Sequence, residues 1–167
     1  MKICIIWKND YPWDIRIEKI AVSLKEAGHN VFILCSNKNR LQREEIINGI
    51  KIYRLPFVNS NKLNSIISMP FYLNPFWLVF ANRIIKNEGT DLIIVRDLPL
   101  ILIGLIIKKK YNIPLILDMA EDYPSLYRFG IQKWDLNACK NFLIRNHYLI
   151  GYIEKFVVKK IDYNLVV

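Results

Sequence analysis

The chain has 167 residues, enough for one domain with a full core and too few for two ordinary ones. A hydrophobic fraction of 53% with 13% aromatics excludes a disordered chain. The formal net charge of +9 favours an anionic partner (nucleic acid, an anionic lipid surface or a phosphorylated substrate), although a solvated basic surface without a dedicated partner has the same composition.

From the N-terminus, the apolar run at residues 3–7 reads as a buried strand, and it is too short for the core of a signal peptide. A polar and aromatic loop follows, Lys8-Asn9-Asp10-Tyr11-Pro12-Trp13, and Asp14 is placed to cap a helix. Ile17, Ile20, Ala21 and Leu24 recur at helical spacing, and Gly28 supplies the stop. Val31-Phe32-Ile33-Leu34-Cys35 is a second buried strand, and residues 38–43 form a basic loop. Asn48-Gly49 is a turn signal, after which Ile50, Ile52 and Leu55 alternate with Lys51 and Arg54 in a third strand. Residues 66–87 read as a helix interrupted at Asn74-Pro75, and Leu92-Ile93-Ile94-Val95 as a fourth strand. Pro99 opens a helix to about Tyr111, and Pro114-Leu115-Ile116-Leu117 is a fifth strand. One or two helices then run to Lys160, before a last strand near residues 162–167.

Strands apolar on both faces, alternating with helices, specify an α/β domain: a Rossmann-like parallel sheet with helices on both faces. Cys4, Cys35 and Cys139 show no metal-ligand spacing, and their odd number without a pairing pattern suggests a reducing compartment. The longest apolar stretch, residues 98–107, is too short to span a bilayer. A cytoplasmic protein without an integral membrane anchor is expected.

In such sheets ligands bind outside the carboxyl ends of the strands, which directs attention to the loops at 8–16, 96–97 and 118–123. The first strand-to-helix turn has no glycine with which to wrap a pyrophosphate, and the second strand ends in Ser36-Asn37-Lys38 with no acid for a ribose diol. A dinucleotide site is therefore not expected. Charged residues mark all three loops instead: Asp14 and Arg16, Arg96 and Asp97, then Asp118, Glu121 and Asp122. Arg16 and Arg96 suit a phosphate or a sugar hydroxyl, and Glu121 suits a proton or a hydroxyl hydrogen bond. The plainer readings are that Asp14 only caps its helix and that Arg16 and Glu121 pair with other loop charges. Phe71, Tyr72, Phe76, Trp77 and Phe80, followed by Arg83 and Lys86, either fill the core or face lipid or acceptor.

Taken in order, these pieces resemble the N-terminal, acceptor-binding domain of a family-4-like GT-B fold glycosyltransferase. The resemblance rests on Asp14-Ile15-Arg16, Lys19-Ile20-Ala21, Leu24 and Ala27-Gly28-His29-Asn30-Val31. It continues with Gly49-Ile50-Lys51-Ile52-Tyr53-Arg54-Leu55-Pro56, Arg96-Asp97-Leu98-Pro99, Asp118-Met119-Ala120-Glu121-Asp122-Tyr123-Pro124, and Glu154 on a helix entering the last strand. It covers essentially the whole chain. The sequence departs from the family at Trp7-Lys8-Asn9-Asp10, where many relatives are glycine-rich, and at Arg96 and Ala120, where many carry histidine.

The resemblance implies a single Rossmann-like domain over residues 1–167, one half of a GT-B architecture, with the C-terminal donor-binding domain absent. It implies retaining transfer of a sugar from a nucleotide-sugar to a lipid-linked or cell-envelope glycan, with no metal or other cofactor. The donor would bind the missing domain, so the chain alone is expected to be inactive. Glu121 is then the catalytic candidate, and Asp14, Arg16, Arg96, Asp97, Asp118 and Tyr123 are the acceptor- or substrate-binding candidates. The expected partners are a C-terminal donor-binding domain or chain, the acceptor and an anionic membrane surface, with the protein peripheral at the inner membrane face. Nucleic acid is not expected, because no aromatic–basic strand platform or recognition helix is present. The alternative is a non-catalytic, membrane-associated binding module that retains the fold.

Overall fold

The structure is a computed structural model that describes residues 1–12, 14–60, 63–64, 67, 72–119, 122, 125 and 147–166. The chain runs β1 (Lys2–Ile6), α1 (Ile15–Glu26), β2 (Asn30–Cys35), β3 (Glu44–Ile47), β4 (Ile50–Arg54), α2 (Pro75–Glu88) and β5 (Leu92–Arg96). A 3₁₀ turn (Leu98–Leu100) then leads into α3 (Ile101–Tyr111), β6 (Leu115–Met119), α4 (His147–Val158) and β7 (Tyr163–Val166). The strands form one seven-stranded sheet in the order β3-β4-β2-β1-β5-β6-β7. Every neighbouring pair is parallel except β3 with β4.

The alternation of strand side chains sorts the core into two clusters. Ile3, Ile5, Val31, Ile33, Ile50, Ile52 and Ile94 face α1, which contributes Ile17 and Ala21. Cys4, Ile6, Phe32, Leu34, Ile93, Val95, Leu115 and Leu117 face α2, α3 and α4, which contribute Trp77, Ala81, Ile103, Ile107, Ile150 and Ile153. Cys4 and Cys35 are free and buried, acting as small hydrophobes; Cys139 lies outside the described residues. Gly104 lets α3 lie close against the sheet: a Cβ there would lie 2.7 Å from Val95 Cγ2 and 3.1 Å from Leu115 Cδ1.

Local chemistry fixes the element ends. Asp14 caps α1, accepting from the amides of Arg16 and Ile17 at 2.9 and 3.1 Å. The expected interruption at Asn74-Pro75 is the start of α2, where Asn74 accepts from the Phe76 amide at 2.9 Å and Pro75 occupies the first turn. Of the aromatic segment, Trp77 and Tyr72 are buried and Phe80 packs against the core, so the core reading holds for them. Phe76 is 49% exposed, and Phe71 lies outside the described residues.

One element was not anticipated and one expectation is corrected. Residues 44–47, unassigned in the sequence, form the edge strand β3, which pairs back onto β4 through Asn48 and Gly49, both at positive φ (52° and 70°) as a tight two-residue hairpin requires. Arg54 does not alternate outward with Lys51. It shares the face of Ile50 and Ile52, and only 1% of it is exposed.

Candidate functional site

One register row crosses the sheet at its carboxyl end. Arg54 pairs with Cys35, and Arg96 pairs with Asp118, which in turn pairs with Leu165. Trp7 lies between Cys35 and Arg96: its amide donates to Leu34 O at 2.8 Å, and Ile6 before it pairs with Val95 before Arg96. By strand alternation, Arg54, Cys35, Trp7, Arg96 and Asp118 all face the α1 side.

The first turn of α1 reaches over this row. Arg16 Nη2 donates to Asp118 Oδ1 at 2.7 Å, and Arg96 Nη1 donates to Asp118 Oδ2 at 2.8 Å. Asp118 is 1% exposed, so its charge must be compensated locally, and two guanidinium groups do so. The Arg96 side chain is 7% exposed and its Nε has no hydrogen-bond partner, whereas Arg16 remains 30% exposed. Arg16 is therefore the member of the triad that can offer further donors to a ligand, while Arg96 and Asp118 hold it in place.

Asp97 continues the site from the end of β5. Its amide donates to Asp118 O at 2.9 Å, and its carboxylate lies 3.5 Å from Lys8 Nζ. Its backbone, at φ 67° and ψ 163°, occupies a region that side-chain-bearing residues rarely adopt. Such geometry costs on the order of 1–3 kcal/mol and collects at functional sites. Asp97 is also buried, so the surrounding contacts must hold it there.

The glycine-free first loop is secured by Asp10. Its carboxylate accepts from Ser36 Oγ and from the amides of Lys38 and Asn39 at 2.9 and 2.8 Å. The Tyr11–Pro12 peptide bond is cis, and Tyr11 O accepts from Arg54 Nη2 at 3.1 Å. Arg54 also donates to Gln42 O at 2.9 Å and pairs with Glu45 at 2.7 Å. Burial pushes the Cys35 thiol up to about 12, against the opposing pull of Arg54, so it is a packing group and not a nucleophile.

Of the residues marked in the sequence, the structure brings Arg16, Arg96 and Asp118 together, sets Asp97 beside them, and uses Asp14 as the cap directly beneath. Glu121 and Tyr123 lie outside the described residues. Asp122 is exposed; it accepts from the amide and hydroxyl of Ser125, which hold its carboxyl below the usual range. Glu154 on α4 is partly buried, and that burial, with the charge of Asp122, raises its carboxyl. Sequence reading missed Asp10, Lys8 and Arg54. Arg54 was detectable, since residues 50, 52 and 54 share one face of a strand. A cleft of about 320 Å³ at the β4–α2 edge, lined by Tyr53, Phe80, Arg83 and Glu88, contains no member of the Arg16–Asp118–Arg96 triad.

Comparison with known proteins agrees with this architecture. No curated protein sequence matches the chain significantly. Among solved structures, sucrose-phosphate synthase from Thermosynechococcus elongatus superposes with a TM-score of 0.70 at 13% identity, covering 98% of this chain and 41% of that one. Os79 from O. sativa, solved with UDP and deoxynivalenol-3-glucoside, gives 0.63 at 8% identity, covering 98% and 46%. The calicheamicin glycosyltransferase CalG4 gives 0.51 at 15% identity, covering 98% and 47%. The chain thus spans less than half the length of each of these proteins. The model of the glycosyl transferase 4-like domain matches residues 14–153. With that match over most of its length and a sheet shared with GT-B glycosyltransferases, the chain belongs to the glycosyl transferase 4-like domain family.

Proposed function

We propose that this chain is the acceptor-binding, N-terminal half of a glycosyltransferase. The enzyme moves a sugar from a nucleotide-sugar to a lipid-linked or cell-envelope glycan, working in the cytoplasm at the inner membrane face. A donor-binding domain or chain completes it across a cleft above the strand carboxyl ends. The observation that carries this reading is the Arg16–Asp118–Arg96 triad at that rim. The first loop supports it too, because its turn holds no glycine for a nucleotide's phosphates while Asp10 already occupies the amides of Lys38 and Asn39.

In this reading Arg16 binds a phosphate or hydroxyl of the acceptor through the donors that Asp118 leaves free. Arg96 and Asp118 are positioning residues, Asp97 and Lys8 shape the floor, and Asp14 sets the start of α1 beneath them. Glu121, directly after the strand that carries Asp118, handles the proton of the attacking hydroxyl, and Tyr123 contacts the acceptor. General acid–base groups contribute about 10²–10⁴-fold.

The test is transfer from a radiolabelled nucleotide-sugar to detergent-dispersed acceptor, using the native gene product together with any donor-binding chain that co-purifies. Glu121→Gln should lower kcat by about 10²-fold or more, and Arg16→Ala should mainly raise the acceptor KM. A native product that ends at Val167, with no donor-binding partner and no transfer, would replace this reading with the non-catalytic binding module.

A further inference from the structure

Of all the asparagines in the chain, only Asn48 is followed by glycine, and the pair forms the turn that joins β3 to β4. An asparagine carboxamide is open to attack by the backbone nitrogen of the next residue, and glycine obstructs that attack least because it has no side chain. Asn48 and Gly49 are both exposed. Among the described residues neither the Asn48 carboxamide nor the Gly49 amide is engaged in a hydrogen bond. Lys25 Nζ, from the last turn of α1, donates to Asn48 O at 2.5 Å.

Asn48 O belongs to the same peptide group as the Gly49 nitrogen. When that nitrogen loses its proton, the negative charge spreads onto the carbonyl oxygen, where the Lys25 ammonium stabilises it through a charge-assisted hydrogen bond. Glycine makes this approach possible, since a Cβ at residue 49 would lie 2.1 Å from Lys25 Nζ. Asn112 supplies the contrast within the molecule. It has the same left-handed backbone (φ 54° against 52°), but the next residue is Ile113, whose amide donates to Lys108 O at 3.3 Å. A branched side chain and a committed amide obstruct the same reaction there.

We propose that Asn48 is a site of spontaneous deamidation promoted by Lys25, and that its conversion releases β3 from β4. The Gly49 nitrogen gives its proton to hydroxide and bonds to Asn48 Cγ; the Cγ–Nδ2 bond breaks, and ammonia leaves with a proton taken from water. Water then opens the five-membered imide. Attack at the main-chain carbonyl carbon leaves an isoaspartyl linkage routed through Cγ, and attack at Cγ leaves aspartate. One water is consumed and one ammonia released. Closing the ring requires rotation about the Asn48 Cα–C bond, which displaces no core side chain in this exposed turn, and the flexible Lys25 stem follows the oxygen.

The isoaspartyl form adds a methylene to the main chain of a two-residue turn that sets the Ile47–Ile50 pairing. β3 supplies Glu45 to Arg54 at 2.7 Å, and the Arg54 amide donates to Arg43 O at 2.8 Å. Loss of register therefore withdraws two contacts from a buried arginine at the rim. None of this depends on the acceptor-binding reading.

The test ages the purified protein at mildly alkaline pH and maps isoaspartate by peptide mass spectrometry with electron-transfer fragmentation. Residue 48 should convert about ten-fold or more faster than residue 112. K25M should slow that conversion about three-fold or more, and K25R should keep most of the rate. The sign is diagnostic: if Lys25 only clamped the turn, its removal would free the turn and speed the reaction. Amide exchange in β3 and at Arg54 should be faster in the isoaspartyl form, separated from fresh protein by ion exchange. Conversion at residue 48 no faster than at residue 112, or no slower in K25M, overturns the Lys25-promoted site. Unchanged exchange in the isoaspartyl form overturns the release of β3.

Discussion

On the α1 side of the sheet, the last full row of side chains is Arg54, Cys35, Trp7, Arg96 and Asp118. On the other side, one residue earlier along the same strands, the row is Tyr53, Leu34, Ile6, Val95 and Leu117. The two rows differ in what covers them. The apolar row lies under α2, α3 and α4, which bring large side chains such as Trp77 and leave no room for an unpaired charge. The polar row lies beneath the first turn of α1 and the loop before it, where Arg16 and Tyr11 O reach in. Charges persist in a sheet where a helix start and loops come close enough to satisfy them, and that end is where a ligand finds ready donors.

The sharpest challenge to this contrast is Asp118→Ala. It leaves Arg96 buried without its partner and should cost about 3–5 kcal/mol in urea unfolding, with acceptor binding lost in whatever remains folded. A cost below about 1 kcal/mol would mean that the triad is not the structural keystone of its side. The matching change on the other side is Gly104→Leu, which drives α3 off Val95 and Leu115 and should cost about 1–3 kcal/mol. Acceptor affinity should stay near normal in the folded fraction, and a large loss of affinity would join the two faces functionally.

Asp14 separates capping from binding. Asp14→Ala should cost about 1 kcal/mol, and Asp14→Asn should restore most of that, since asparagine caps as well. Stability that recovers while acceptor affinity does not would give the carboxylate a direct role with ligand. The smallest effect concerns Asp162. Hydrogen bonds from Lys108 Nζ at 2.6 Å and the Leu115 amide at 2.7 Å hold its carboxyl below the ordinary value of 3.8. A carboxyl lowered by folding stabilises above its unfolded value and loses that contribution as pH falls through its folded value. Amide exchange in β7 should therefore accelerate below about pH 4 before exchange in β1 does, and Asp162→Asn should remove that early acid step.

Much of the fold was legible because buried parallel strands are unbroken apolar runs. Ile3 to Trp7 and Val31 to Cys35 need no alternation to be recognised, and Asp14, Gly28 and Asn74-Pro75 mark helix ends by their own chemistry. β3 escaped because Glu44-Glu45-Ile46-Ile47 has neither an apolar run nor a period of two; it is a strand only because the Asn48-Gly49 turn folds it onto β4. For the site, sequence marked the loops and the charges but not their pairings. That Arg16 and Arg96 meet on one carboxylate depends on a register between strands 22 residues apart and on a helix reaching 102 residues along the chain. Asp10 escaped for the same reason: its partners Ser36, Lys38 and Asn39 belong to the next loop.

The grip of Asp10 on that neighbouring loop has a thermodynamic consequence. Fixing a backbone residue costs about 1–2 kcal/mol, and at the first two loops of the rim this loss is incurred at folding, before any ligand arrives. If an acceptor binds against the start of α1, as proposed, it meets loops already ordered by folding, so little ordering of these two loops should accompany association. Loosening the clasp, as in Asp10→Asn, should therefore make acceptor binding both weaker and more enthalpy-driven, with the missing entropy now charged to the complex.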